Sequence, residues 1–191
     1  MLFTSGIFLI CFLVLFWIYW SIPDPTVQSR KWLLLIASFL FYAFWSLPFA
    51  LHFTCYVLIN FLMYRPAGNR SQVRITIVLA LNLLHLIFFK YALFLFDVFS
   101  WESGGAPAPS FMSEVVLPLG ISFYTFQMIA LHVDAYRGET GSISFLDFML
   151  FIMFFPQLVA GPIMRHDELL PYLKRPVMLR RNWLDKGIFL F

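Results

Sequence analysis

One apolar segment of the sequence, residues 115–133, carries an unusual concentration of polar side chains. These side chains, within the segment or directly after it, are Ser122, Tyr124, Thr125, Gln127, His132 and Asp134. At 100° per residue, Gln127 and Asp134 share one helix face, with Tyr124 near it, and Thr125 and His132 share another. Because the helix is polar on two faces, we predict that it lies inside a helical bundle beside a cavity. Interhelical hydrogen bonds to neighbouring helices would be the alternative explanation.

Two histidines are candidates for proton transfer, because imidazole titrates near neutral pH. His132 lies on the polar segment, and Asp134 cannot orient it, since helical residues two apart do not face each other. Asp134 could orient a different imidazole. His166 follows Arg165 at the start of a basic stretch, which is typical of a solvated loop or an interfacial anchor. His132 and His166 are therefore the only catalytic candidates.

The other polar residues inside apolar segments stand alone. We expect His52 and His85 to form interhelical hydrogen bonds, and Lys90 to extend its ammonium group towards the membrane surface. Cys11 and Cys55 lie in apolar runs and have neither the spacing of a disulfide framework nor that of a metal site. The sequence predicts no metal ion and no bound cofactor.

The composition is that of a membrane protein. Hydrophobic residues make up 61% of the 191 residues and charged residues 12%, whereas soluble domains have about half and a quarter respectively. The formal net charge is +3, but the basic residues lie between apolar runs, as they do in the cytoplasmic loops of membrane proteins. Nucleic-acid binding is therefore excluded, and the lipid bilayer is the expected surrounding.

The apolar runs predict an all-α, polytopic transmembrane helical bundle of about five spans plus a re-entrant segment. The spans are residues 1–20, then two within 32–64 that separate around residues 45–48, then 75–96 and 115–133. The second and third would form a tight hairpin, although a single kinked helix is the alternative. Residues 30–31 and 65–74 are basic, whereas 100–113 contain no Lys or Arg, which predicts an outside N-terminus. Residues 145–162 are short, contain Pro156 and precede a basic stretch, so we expect them to enter and leave on the cytoplasmic side.

Two sequence blocks are similar to hallmarks of the bacterial membrane-bound O-acyltransferases. The first is LPLGISFYTFQ at residues 117–127 with VDAYRG at 133–138. The second is FLDF at residues 145–148 leading into FFPQLVAGPI at 154–163, with LLP at 169–171 continuing it. Together the blocks are specific. The chain most resembles the branch that contains alginate O-acetylases and the D-alanyl transferases of teichoic acid.

This resemblance implies that the bundle is part of a larger helical funnel in a bacterial inner membrane. An acyl group, most simply acetyl, would arrive from a thioester donor or a carrier protein on the cytoplasmic side. It would pass to the hydroxyls of a polysaccharide outside, where accessory envelope proteins are further expected partners. The implied scaffold or substrate-channel residues are Tyr124, Gln127, Asp134, Arg137, Gln157 and Arg165. The implied scaffold also includes Pro118, Gly120, Pro156, Gly161 and Pro162.

The family's key histidine follows a tryptophan on a later helix, and residues 1–191 contain no Trp-His pair. His132 stands where relatives often have tyrosine or another uncharged residue, so no catalytic residue is carried over. A new apolar segment opens at Trp183 and ends with the chain. We therefore expect residues 1–191 to be the N-terminal part of one acyltransferase domain, inactive alone. The alternatives are a transporter or flippase subunit, and a non-catalytic membrane assembly protein for cell-envelope polysaccharide.

Overall fold

A computed structural model describes residues 6–23, 27–66, 71–102, 118–160 and 164–174, and all regular structure within these ranges is α-helical. The helices in chain order are α1 Gly6–Ser21, α2 Gln28–Trp45, α3 Leu47–Met63, α4 Gln72–Glu102, α5 Ile121–Arg137, α6 Phe145–Met153, α7 Phe155–Ala160 and α8 His166–Lys174. The all-α prediction is confirmed for these residues. Residues 103–117, 161–163 and 175–191 lie outside the described part, and with them most of the predicted 100–113 loop, Gly161, Pro162 and most of the basic stretch.

The predicted division of residues 32–64 into two helices is confirmed, and the break falls within the predicted stretch of residues 45–48. Ser46 has extended backbone angles, φ −162° and ψ 116°, and separates α2 from α3. Pro48 lies in the first turn of α3, where its missing N–H costs nothing, because the first N–H groups of a helix have no intrahelical partner. The proline therefore begins the second helix rather than ending the first.

Helix α4 is longer than the predicted span of residues 75–96, since it begins at Gln72 and continues to Glu102. The sequence after residue 96 contains no glycine or proline until Gly104, so nothing in it stops the helix at the expected place. Within the described residues, Gln72–Tyr91 is the one helix both long and apolar enough to cross a bilayer. Shorter apolar helices cover Phe8–Ser21, Leu47–Met63 and Phe145–Gln157.

Glycines fix both ends of α5, the helix that carries the polar residues. Gly120 precedes the helix with φ 72° and Gly138 follows it with φ 87°, both left-handed conformations that side chains disfavour. At the C-terminal end, Gly138 N–H donates to Ala135 and Glu139 N–H donates to Asp134, the pattern of a Schellman cap. Because the cap forms at Gly138, α5 continues beyond the predicted end of the segment at residue 133 and includes Asp134 in its last turn.

Helix α6 is the centre of the described fold. Residues 146–153 are all buried, as expected for a helix that is apolar on every side. Helices α2, α3, α5 and α8 all contact it, and α4 packs mainly against α5. Ser144 caps the start of α6 by accepting a hydrogen bond from the Asp147 N–H at 3.2 Å. With a length of only about 13 Å, α6 positions its neighbours but cannot itself cross a bilayer.

The ends of several helices meet at one side of the bundle, which we call the charged end, defined by Lys31, Tyr64, Asp134, Asp147 and Arg165. The Tyr64 hydroxyl after α3 contacts the loop after α5 by donating to the Gly141 carbonyl at 2.8 Å. Lys31 near the start of α2 binds Asp147 at the start of α6, and Arg165 binds Asp134 near the end of α5. The chain therefore moves away from the charged end along α6 and has returned to that end at Arg165.

The helices outside this core present apolar side chains to their surroundings. On α1, Ile10 is 63% and Trp17 71% exposed, and on α4, Leu84 is 64% exposed. Soluble monomers rarely expose contiguous apolar patches of more than a few hundred Å². These faces are therefore suited to contact with lipid or with further protein.

Candidate functional site

The carboxylate of Asp134 joins two side chains from the returning end of the chain. Its Oδ2 atom accepts a hydrogen bond from Arg165 at 3.1 Å and lies 3.4 Å from Nδ1 of His166, an ion-pair distance without hydrogen-bond geometry. Asp134 and His166 are largely buried, with side-chain exposures of 7% and 13%. The prediction that Asp134 could orient an imidazole other than His132 thus finds a candidate partner in His166.

Arg165 lies close to several acidic side chains, although its own side chain is 53% exposed. It also binds Glu139 at 3.4 Å, and its Nε atom lies 4.0 Å from Asp167. The hydrogen bond to Asp134 raises the pKa of the Arg165 guanidinium, so this group stays charged. Because acidic groups surround the guanidinium, the cluster fixes α8 against α5 and is poorly suited to binding an anion.

Tyr124 and Gln127 lie deep inside the bundle on α5, as predicted. Tyr124 is fully buried, with its ring centroid 4.4 Å from that of Phe53 on α3. Gln127 is 2% exposed. Neither the Tyr124 hydroxyl nor either polar atom of the Gln127 amide has a hydrogen-bond partner among the described residues. Buried polar groups are nearly always satisfied, so these atoms are available to a polar group that enters the bundle.

His132 occupies a different face of α5, together with Thr125. The imidazole is 4% exposed, and its ring centroid lies 6.0 Å from that of Tyr64 and 6.5 Å from that of Phe148. Its Nε2 atom and the Thr125 hydroxyl have no hydrogen-bond partner among the described residues. The structure therefore separates the two histidine candidates: His166 lies beside Asp134, and His132 lies among aromatic rings.

Gln157 lies in the short helix α7, just after the break that separates α6 from α7. It is 5% exposed, and both polar atoms of its amide lack a hydrogen-bond partner within the described residues. At the break itself, the Phe155 N–H donates to the Ser38 hydroxyl of α2 at 3.2 Å. Arg137, the last predicted site residue, is exposed in the final turn of α5, where a positive charge suits the helix dipole.

A buried ion pair at the charged end was missed from the sequence. Nζ of Lys31 lies 2.5 Å from Oδ1 of Asp147, and the two side chains are 7% and 6% exposed. Lys31 was assigned only to a basic boundary, and Asp147 only to a motif. The sequence feature that could have revealed the pair is Asp147 itself, because a single Asp in an apolar segment needs a cation or hydrogen-bond donors beside it.

The two isolated histidines of α3 and α4 lie side by side, which confirms the predicted interhelical hydrogen bonds, although the sequence did not predict that the two are partners. Their Nε2 atoms lie 2.9 Å apart, within hydrogen-bond distance. The ring of His85 also stacks on Tyr56 with centroids 3.8 Å apart. Tyr56 in turn donates to Asn82, which donates to Asn60, both at 2.8 Å. This network joins α3 to α4.

The geometry supports a polar interior rather than a complete catalytic centre. In the part of the chain that the structure describes, no three His, Cys, Asp or Glu side chains come together as a metal site requires. The residues offer hydrogen-bonding atoms on two faces of α5, a further amide on α7, and an imidazole beside a carboxylate at the charged end. These atoms can bind and orient a polar group that reaches them.

The similarity to known proteins extends over most of the chain, as three of the relatives show. A probable alginate O-acetylase of Azotobacter vinelandii is 36% identical over 97% of this chain and 38% of the relative. A probable alginate O-acetylase of Pseudomonas aeruginosa is 35% identical over 88% of this chain and 34% of the relative. A peptidoglycan O-acetyltransferase of Helicobacter pylori is 29% identical over 100% of this chain and 42% of the relative.

The chain thus spans somewhat more than a third of the length of these relatives. No protein-family model matches it, and no solved structure matches it. The similarity confirms the resemblance that the two motif blocks indicated.

Proposed function

Because the chain belongs with the alginate O-acetylases, in the acetyltransferase branch of the membrane-bound O-acyltransferases, we propose that it is part of an O-acetyltransferase. The acceptor is a hydroxyl of an extracytoplasmic polysaccharide. The donor is an acyl thioester on the cytoplasmic side, supplied directly or by a carrier protein. In the reaction the acyl C–S bond breaks, a C–O bond forms, and the leaving thiolate gains the proton that the hydroxyl loses.

The proposed setting is the bacterial inner membrane, with an outside N-terminus and the charged end in the cytoplasm. The contacts of α6 with α2 support re-entry of residues 145–162. From Lys31, which binds Asp147, to Ser38, which binds Phe155, α2 rises by about 10 Å. Measured from the charged end, the break between α6 and α7 therefore lies at a depth of about one third of a ~30 Å hydrocarbon layer. The chain has returned to the charged end at Arg165.

The observation that carries the proposal is the buried amide of Gln127 on the first motif helix, which has no hydrogen-bond partner among the described residues. An unsatisfied buried polar group costs about 1–3 kcal/mol, so a residue kept only for stability would be apolar here. We assign Gln127 and Tyr124 to the wall of the substrate path, with Gln157 as a further donor and acceptor. Asp134 and Arg165 position His166 at the cytoplasmic entrance.

The test separates function from stability at Gln127. The whole reading frame that encodes this chain, with Gln127→Leu, is expressed in an alginate-producing bacterium that lacks its own O-acetylase. We expect the variant to be at least as stable as the parent, because an unsatisfied amide is replaced by a side chain of similar size. Ester acetyl on the secreted polymer should nevertheless fall at least tenfold, corresponding to about 1.4 kcal/mol of lost transition-state binding.

Phe126→Leu, at the neighbouring position whose side chain is 48% exposed, is the matched control and should leave acetylation unchanged. If Gln127→Leu destabilises the protein and acetylation falls only in proportion to its abundance, the amide is a structural hydrogen-bonding group. If the parent reading frame adds no acetyl ester, the acetyltransferase proposal itself fails.

A further inference from the structure

A groove with a cavity volume of about 270 Å³ separates α1 from α2 on the outside of the bundle. Its walls are residues 8–15 of α1 and 37–44 of α2, and its floor is Phe155 at the start of α7. The ring centroids of Phe8, Phe41 and Phe155 lie between 5.3 and 6.4 Å from one another. These rings pack together below the groove and leave the space above them open.

The chemistry of the lining restricts what the groove can hold. All lining side chains are apolar apart from the thiol of Cys11, and none is charged. Both walls are helices whose backbone groups are bonded internally, so a peptide strand or a sugar would find no hydrogen-bond partners there. An occupant would be held by shape and dispersion alone, which suits a flexible hydrocarbon.

The groove also lies at the depth of lipid acyl chains, an argument that rests on the membrane embedding proposed above. The Arg30 guanidinium lies over Tyr19 at 5.2 Å and Trp20 at 5.5 Å, an aromatic and basic grouping typical of a membrane interface. From Trp20, α1 rises about 8 Å to Leu15 and about 18 Å to Phe8. Both positions fall inside a hydrocarbon layer of ~30 Å.

A space of this size does not stay empty in a membrane. A cavity of about 150 Å³ is enough to bind benzene, so the larger groove accommodates several methylene groups. We propose that it binds an acyl chain of a membrane lipid, which enters from the bilayer between α1 and α2 and ends against Phe155. A bound chain would contact the turning point between α6 and α7, and would thereby support the second motif block from the lipid side.

The test uses the protein encoded by the whole reading frame that contains this chain, in vesicles of phosphatidylcholine that carries a photoactivatable diazirine in one acyl chain. Cross-linked positions are mapped by peptide mass spectrometry. We expect them to concentrate on residues 8–15 and 37–44, above the level on the exposed face of α4 around Leu84. Ala37→Phe and Cys11→Phe fill the groove from opposite walls, and each should reduce the groove cross-links to the α4 level. Ala80→Phe adds the same bulk to an exposed position of α4 and should leave the groove cross-links unchanged.

Each other outcome has a definite meaning. Equal cross-linking of the groove and of α4, or groove cross-links that survive both filling substitutions, would overturn the lipid site. Cross-links from the groove lipid to a second protein chain across the same residues would identify a protein interface instead and would also overturn it. An absence of lipid cross-links on α4 as well would contradict the membrane embedding, which is a separate failure.

Discussion

The ion pair between Lys31 and Asp147 is predicted to be among the most sensitive contacts of the fold. Both side chains are more than nine-tenths buried, and the pair connects the start of α2 to the start of α6 across 116 residues of sequence. Removing one partner of such a pair leaves the other charge buried and unpaired, which typically costs about 3–5 kcal/mol. Lys31→Met and Asp147→Leu should each lower the free energy of unfolding by that amount.

The double variant Lys31→Met/Asp147→Leu removes both charges and should recover most of the loss, because an apolar pair of similar volume is often neutral or stabilising. The predicted coupling between the sites is therefore several kcal/mol. Denaturant titration in mixed detergent micelles measures all four proteins of the cycle. Glu139→Gln is the control, because it breaks an exposed ion pair with Arg165 that should contribute about 1 kcal/mol or less.

Two results would refute this reasoning. If each single substitution costs no more than Glu139→Gln, then the pair is hydrated in the protein and does not hold α6. If the double variant loses the sum of the single effects, then Lys31 and Asp147 act independently and their contact contributes no coupling.

Two further predictions concern the segment that contains the second motif block. Ser38→Ala removes the acceptor of the buried Phe155 N–H and should cost about 1–3 kcal/mol. In Thr54→Ala the lost hydroxyl is one that donates to the Ala50 carbonyl of its own helix, so the change should cost about 0.5 kcal/mol or less. Equal losses in the two variants would show that the hydrogen bond of Phe155 is unimportant. Single cysteines near Ser142 and near Arg175, in a background without Cys11 and Cys55, should both react with an impermeant thiol reagent from the cytoplasmic side. Labelling from opposite sides would mean that residues 145–162 span the membrane.

The interior position of α5 could be predicted because periodicity within one helix is a local property. Its spacing placed Gln127 and Asp134 on one face and His132 on another, and all three are buried in the structure. The cap at Gly138 was not predicted, so the segment was expected to end at residue 133, one turn too early. A glycine with positive φ marks where a helix ends, but from sequence the same residue can mark a loop.

The partners of these residues could not be predicted from the sequence, since they depend on how the chain folds back. That Asp134 could orient an imidazole was evident, whereas the identity of His166 as the neighbour depends on the return of the chain after α7. The pairing of Lys31 with Asp147 is likewise set by tertiary contacts between distant helices. For His52 and His85 the sequence predicted an interhelical hydrogen bond, because an isolated imidazole inside an apolar helix needs a partner, but it did not predict that the two bond to each other.

Acetyl transfer from a labelled acetyl thioester to an alginate-like polymer, measured in isolated membranes, tests the central claim most directly. Membranes from cells that express the whole reading frame encoding this chain should form labelled, alkali-sensitive acetyl ester. Membranes that contain residues 1–191 alone should form none, because these residues lack the Trp-His motif and a general base typically contributes about 10²–10⁴-fold to the rate. Absence of ester with the whole reading frame would contradict the assignment as an O-acetyltransferase. Ester formation by residues 1–191 alone would contradict the expectation that these residues are inactive without the rest of the protein. His132 and His166 would then be the first residues to replace.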